Sequence, residues 1–118
     1  MDTRFTIIIT EFRPFVDEEM YIKIEEIDDG SLALINKENE TIEQFGKEVK
    51  TKVLKLLKKI DISEPPNFVF GCDGVFCSIT VGSGFNRYTF DWWDSVPLNK
   101  NWRPLRKIKK IFMPETAT

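Results

Sequence analysis

The sequence predicts an α+β domain. Antiparallel β-sheet meanders of about six strands, in the order β-β-β-α-β-β-β-α, carry two helices packed on the sheet. Three observations predict it. Apolar runs rich in β-branched and aromatic residues alternate with short turns containing Gly and Asp, the pattern of antiparallel hairpins. Two segments, 41–60 and 104–112, switch to helical periodicity. Two turns in the second half of the chain independently turn the same apolar face inward. At 118 residues the chain is expected to form a single domain, 1–118, with 112–118 as a frayed tail.

Residues 4–12 are β-branched and aromatic, and the consecutive Ile7, Ile8 and Ile9 suggest that both faces of this strand are at least partly covered. Pro14 and the acidic cluster after it break the pattern. From Met20 to Ile27 the alternation resumes, with Met20, Ile22 and Ile24 on one side. Asp28-Asp29-Gly30 has the residues of a tight turn, and a third strand follows over 31–36. Over 41–60, Ile42, Phe45, Val49, Val53, Leu56, Leu57 and Ile60 form a helical stripe. Thr41 and Gln44 stand at capping-box spacing, and Lys55, Lys58 and Lys59 complement the C-terminal dipole. Pro65-Pro66 ends the helix.

Asp73-Gly74 between apolar runs predicts a hairpin pairing Phe70 with Cys77 and Phe68 with Ile79. A second hairpin centred on Gly84-Phe85 pairs Val81 with Tyr88, Ile79 with Phe90 and Cys77 with Trp92. Tyr88, Phe90 and Trp92 then share one face, and Trp93 must point the other way. The final helix, 104–112, starts at Pro104 and places Leu105, Ile108, Ile111 and Phe112 on its apolar stripe. Arg106, Lys107, Lys109 and Lys110 take the remainder, its wet face. Whether the meanders form one sheet or two is left open.

Composition is that of a soluble globular protein: 42% hydrophobic, 31% charged, and rich in aromatics at 13%. No apolar run approaches the ~20 residues of a membrane-spanning helix, and no leader pattern opens the chain, so a cytoplasmic location is expected. Cys72 and Cys77 are too few for a disulfide framework or a zinc site and read as buried thiols. The absence of histidine removes the commonest general base and metal ligand. Net charge is −2, but residues 1–50 carry −7 and residues 51–118 carry +5.

Three acidic groups invite comparison: Asp17-Glu18-Glu19, Glu25-Glu26 with Asp28-Asp29, and Asp91 with Asp94. They read as solvated charges, as a docking surface for a basic protein, or, least well, as catalytic or metal-binding carboxylates. No calcium-loop pattern is present. The basic final helix reads as a solvated face or as a nucleic-acid contact, the latter against an overall pI near 5.2. Gly82-Ser83-Gly84 lacks the Gly-Lys-Ser/Thr of a phosphate loop.

The pattern Tyr88-x-Phe90-x-Trp92-Trp93, then Pro97, then Trp102-x-Pro104-Leu105 before a short helix resembles immunity proteins of bacterial polymorphic-toxin systems. It is similar in particular to those of contact-dependent growth inhibition, over residues 71–112. The resemblance implies a non-catalytic antitoxin that binds and neutralises one cognate toxin domain, often a nuclease, and it carries over no catalytic residue. Clustered acids fit such a role, because a nuclease cleft must be basic to attract phosphate. The expectation is therefore a monomeric toxin inhibitor binding one to one, with an RNase ahead of a DNase as its target. Asp17, Glu18, Glu19, Glu25, Asp28 and Asp29 are the acidic contact candidates, followed by Trp93 and Asp94. No enzymatic activity, catalytic residue, cofactor, metal or membrane contact is expected. The alternative is a nucleic-acid-associated or regulatory module using the basic C-terminal helix.

Overall fold

A computed structural model describes residues 4–13, 18–61, 75–83, 86–93 and 98–113. In chain order these form β1 (Phe5–Arg13), β2 (Glu18–Glu26), β3 (Leu32–Ile35), β4 (Thr41–Gln44), α1 (Lys47–Lys58), β5 (Phe76–Ser83), β6 (Asn86–Trp93) and α2 (Arg103–Phe112). The six strands make one antiparallel sheet in the order β4-β3-β2-β1-β5-β6, with two helices beside it, an α+β fold. None of the described helices is long and apolar enough to cross a membrane.

Register decides which side chains meet. Ile7 lies opposite Ile24 and Val81, and Ile9 opposite Ile22 and Ile79. Ile79 in turn faces Phe90. This row of branched side chains is one face of the sheet, and both helices cover it. Val53 and Leu56 of α1 join Leu105, Ile108 and Phe112 of α2 in a core that also holds Trp92 and Trp102. Phe90 meets Trp102 edge-on at 5.9 Å, and Phe45 meets Phe112 at 5.1 Å. Such contacts add to the large apolar area each ring removes from water.

The turns follow from their residues. Gly30 adopts φ 85°, and Asp29 Oδ1 accepts from both the Ser31 N–H and its hydroxyl, closing the β2–β3 turn. Asn36 Oδ1 accepts from the backbone N–H groups of Glu38 and Glu40, while Asn39 takes φ 62°, closing β3 onto β4.

Four details differ from the sequence expectation. Residues 41–44 are strand β4 and not the first helical turn, so Thr41 and Gln44 form no capping box; α1 begins at Lys47 with Gly46 as its N-cap. The element order is accordingly β-β-β-β-α-β-β-α over the described residues. The expected Asp73-Gly74 turn and strand 68–72 lie outside those residues, but the expected pairings are replaced: Cys77 faces Glu11 and Ile79 faces Ile9, because β1 occupies that edge of β5. Tyr88 shares the helix-side face with Phe90 and Trp92 yet is 66% exposed, beyond the helical cover. Finally, Lys109 is buried; its ammonium meets Glu11 at 2.9 Å. The second hairpin stands as expected, with Val81–Tyr88, Ile79–Phe90 and Cys77–Trp92 in register.

Candidate functional site

The helices cover one face of the sheet, and among the described residues no helix or strand packs on the other, the open face, which carries the alternate residues of the same strands. One row across this open face runs Glu19, Phe12, Phe76, Trp93 through β2, β1, β5 and β6. Neighbouring strands lie about 4.8 Å apart, so the row spans about 14 Å. Phe76 and Trp93 meet edge-on at 5.2 Å, and both are half-buried, as is Phe12. The adjacent row carries Tyr21, Thr10, Ser78 and Asp91, with Tyr21 53% exposed. Consecutive Trp92 and Trp93 therefore part company: Trp92 enters the core and Trp93 joins the open face, as alternation requires.

The acidic candidates are dispersed. Glu18 and Glu19 begin β2 and are exposed, with Glu18 on the helix-side face and Glu19 on the open one. Glu25 lies on the open face near the far end of β2, paired with Lys23 at 2.9 Å. Asp28 is tied to Arg4 at 2.8 Å in the β2–β3 turn. Asp29 is held by Ser31, whose hydroxyl and N–H bonds lower its carboxyl pKa below the ordinary 3.8. A strand rises about 3.3 Å per residue, so Glu18 and Asp28 stand about 30 Å apart. The structure brings Glu19 and Trp93 onto one row and sends Asp28 and Asp29 to the opposite end. Asp17 and Asp94 lie outside the described residues, as does Cys72; Cys77 is buried in the core.

Charge is sorted by layer and not by half of the chain. Helix α1 with its C-cap Lys59 and helix α2 hold eleven of the seventeen bases and one acid, Glu48. Two of those bases turn inward: Lys50 bonds Glu26, and Lys109 bonds Glu11. Lys47, Lys52, Lys55, Lys58, Lys59, Arg103, Lys107 and Lys110 face outward and are exposed. The sheet and its turns, with Glu18, Glu19, Glu38, Glu40, Glu43 and Asp91 exposed, supply the opposite sign.

No metal centre is organised among the described residues, where no three His, Cys, Asp or Glu side chains converge. The glycine at 82 has a packing reason: a Cβ there would run into the Asn86 carbonyl and come within 2.9 Å of Arg87 Cα. Sequence reasoning missed Phe12, Tyr21 and Phe76 as partners of Trp93. Their alternation was legible, but only the β1–β5 register sets them side by side. No protein-family model matches the chain, and no curated protein matches it.

Proposed function

We propose that this chain is an immunity protein, a cytoplasmic inhibitor that binds a cognate toxin domain and neutralises it without chemistry of its own. Its target on this reading is a basic nuclease, an RNase ahead of a DNase. The observation that carries the proposal is the open sheet face, where Phe12, Phe76, Trp93 and Tyr21 gather beside Glu19 and Asp91. Aromatic side chains ringed by polar groups are the usual anchors of a protein–protein interface. Carboxylates at the rim steer a cationic partner and speed its association. On this reading the interface lies at the end of the sheet that holds Glu19 and Trp93, and Asp28 and Asp29, at the opposite end of β2, lie outside it.

The test is co-expression with the toxin domain encoded by the neighbouring gene, followed by affinity measurement. The expected outcome is co-purification and protection of growth, with Glu19→Lys and Trp93→Ala each weakening binding about tenfold or more. Asp28→Lys, at the far end of β2, is expected to change it less than about threefold. A complex indifferent to both Glu19 and Trp93 would remove the open face from the interface, and no complex would remove the inhibitor reading.

The exposed lysines and arginines of α1 and α2 favour a second reading, a nucleic-acid-associated module using the helical layer. It widens the contact from the last helix to both. Mobility shift with RNA and DNA at two salt concentrations decides: tight binding that falls steeply with salt supports this reading over the first.

A further inference from the structure

The sheet ends on β6, whose outer edge no described strand pairs. Ser83 and Asn86 are paired with only two residues between them, an arrangement that requires the two to exchange their own N–H···O bonds. Asn86, Tyr88, Phe90 and Trp92 therefore direct their backbone groups toward β5. Arg87, Thr89 and Asp91 direct theirs outward. Unsatisfied edge groups are a template for another strand, and natural sheets blunt them with bulges, short length, proline or charged side chains. The other edge has those devices: β4 is four residues long, irregular in register at Leu34/Ile35, and bears Glu43. By contrast, β6 runs eight residues in unbroken register.

We propose that β6 pairs antiparallel with β6 of a second copy, about a two-fold axis through Thr89, to make a continuous sheet across a dimer. The sequence is self-complementary about that residue. Arg87 then lies opposite the partner's Asp91, and Asp91 opposite the partner's Arg87, giving two equivalent ion pairs on the open face. Both side chains are exposed and make no ion pair among the described residues. Thr89 meets the partner's Thr89, and the outward backbone groups of 87, 89 and 91 fall into hydrogen-bonding register. On the helix side Tyr88, now 66% exposed, lies against the partner's Phe90. That contact also roofs the apolar groove formed by Phe5, Leu57, Ile60, Val81, Tyr88 and Phe90. An isologous contact of this kind closes at two copies. It differs from the monomer expected from sequence; it draws in Asp91 but leaves Phe12, Phe76 and Glu19 outside the contact, so the Glu19 and Trp93 variants test the inhibitor role separately from the pairing.

Sedimentation of the full chain at low salt, over about 1–200 μM, tests the pairing, since an edge-strand contact of modest area gives a dissociation constant on the order of micromolar. The expected result is a monomer–dimer equilibrium. Arg87→Asp or Asp91→Arg sets like charges opposite each other twice and raises the dissociation constant about tenfold. The double variant Arg87→Asp/Asp91→Arg restores it to within about threefold. Thr89→Pro removes an outward N–H without touching the β5 ladder and abolishes the dimer. Should Thr89→Pro fail to fold, the charge-swap series still decides. A monomer throughout the range, species larger than a dimer, or a dimer indifferent to both single charge reversals would each overturn the proposal. In the monomeric outcome, the edge is left to a strand of another protein.

Discussion

Glu11 is the residue at which the two layers are joined. It occupies an inward position of β1 among isoleucines, 6% exposed, and receives the Lys109 ammonium at 2.9 Å and the Arg13 guanidinium at 2.8 Å. Burial pushes its carboxyl upward, but the bonds and charges of Lys109 and Arg13 outweigh that, and the pKa lies below the ordinary 4.5. Glu11→Ala takes the carboxylate away from the buried Lys109 ammonium and from Arg13, and is expected to destabilise the fold by about 3 kcal/mol in urea unfolding. Replacing the two together, Glu11→Leu with Lys109→Met, is expected to cost less than Glu11→Ala, because no buried ammonium is then left without the carboxylate. The pH dependence has a definite sign. A carboxyl whose folded pKa is depressed contributes fully above its unfolded value, near 4.5, and loses that contribution as pH falls through the folded value. Glu26, lowered by its bond from Lys50, acts in the same direction. Thermal unfolding is therefore expected to move to lower temperature as pH drops below about 4.5, and to do so less in the double variant.

At the scale of the element, the junction between β4 and α1 shows what periodicity alone can and cannot determine. Ile42 and Phe45 fit the helical stripe that continues through Val49 and Val53, yet Ile42 is 61% exposed on an edge strand. The Phe45 N–H bonds the Leu32 carbonyl at 2.9 Å, which holds the chain in the sheet until Gly46 releases it. The stabilities of Ile42→Lys and Val53→Lys separate the two accounts. The first is expected to change stability by less than about 0.5 kcal/mol, and the second to abolish folding or cost more than about 3 kcal/mol. Had 41–44 been helix with Ile42 on its buried stripe, both would be severe. The missed boundary had a local signal in Asn36 and Asn39, residues suited to side-chain–backbone bonds and to positive φ. The β5–β6 hairpin was legible because both strands and their turn are contiguous and faces alternate. The β1–β5 pairing joins residues some seventy apart in sequence, and no local pattern encodes it. That one non-local pairing is also what assembles Phe12, Phe76 and Trp93, so the candidate site was legible in its members and hidden in its grouping. Lys109 went unread for a similar reason: its buried position follows from Glu11 across the core, and a helical wheel shows only a base beside a stripe.

For the whole molecule, the dominant property is the separation of charge between layers. Sequence arithmetic divides the chain into an acidic first half and a basic second half, but folding redraws the boundary. Six of the bases come from α1 and its C-cap, two of them (Lys47 and Lys50) within the first fifty residues, and they join the α2 bases in the helical layer. A protein of net −2 thus presents a cationic layer backed by an anionic sheet. Net charge is a poor guide to such a molecule, because charged surfaces act over about a Debye length, some 10 Å at 0.1 M salt, which is shorter than the distance between the faces. The chain is accordingly expected to be retarded at pH 7 and about 0.1 M salt, where the faces act separately, on both an anion exchanger and a cation exchanger. Lys55→Glu, Lys107→Glu and Lys110→Glu in combination should abolish cation-exchange retention while lengthening retention on the anion exchanger. These side chains are exposed and carry no core contact, so the triple variant is expected to melt within a few degrees of the parent. Elution of the parent in the flow-through of the cation exchanger would show that the layers screen each other. The helical side would then have no field with which to hold an anionic ligand, and the acidic side none with which to draw in a basic one.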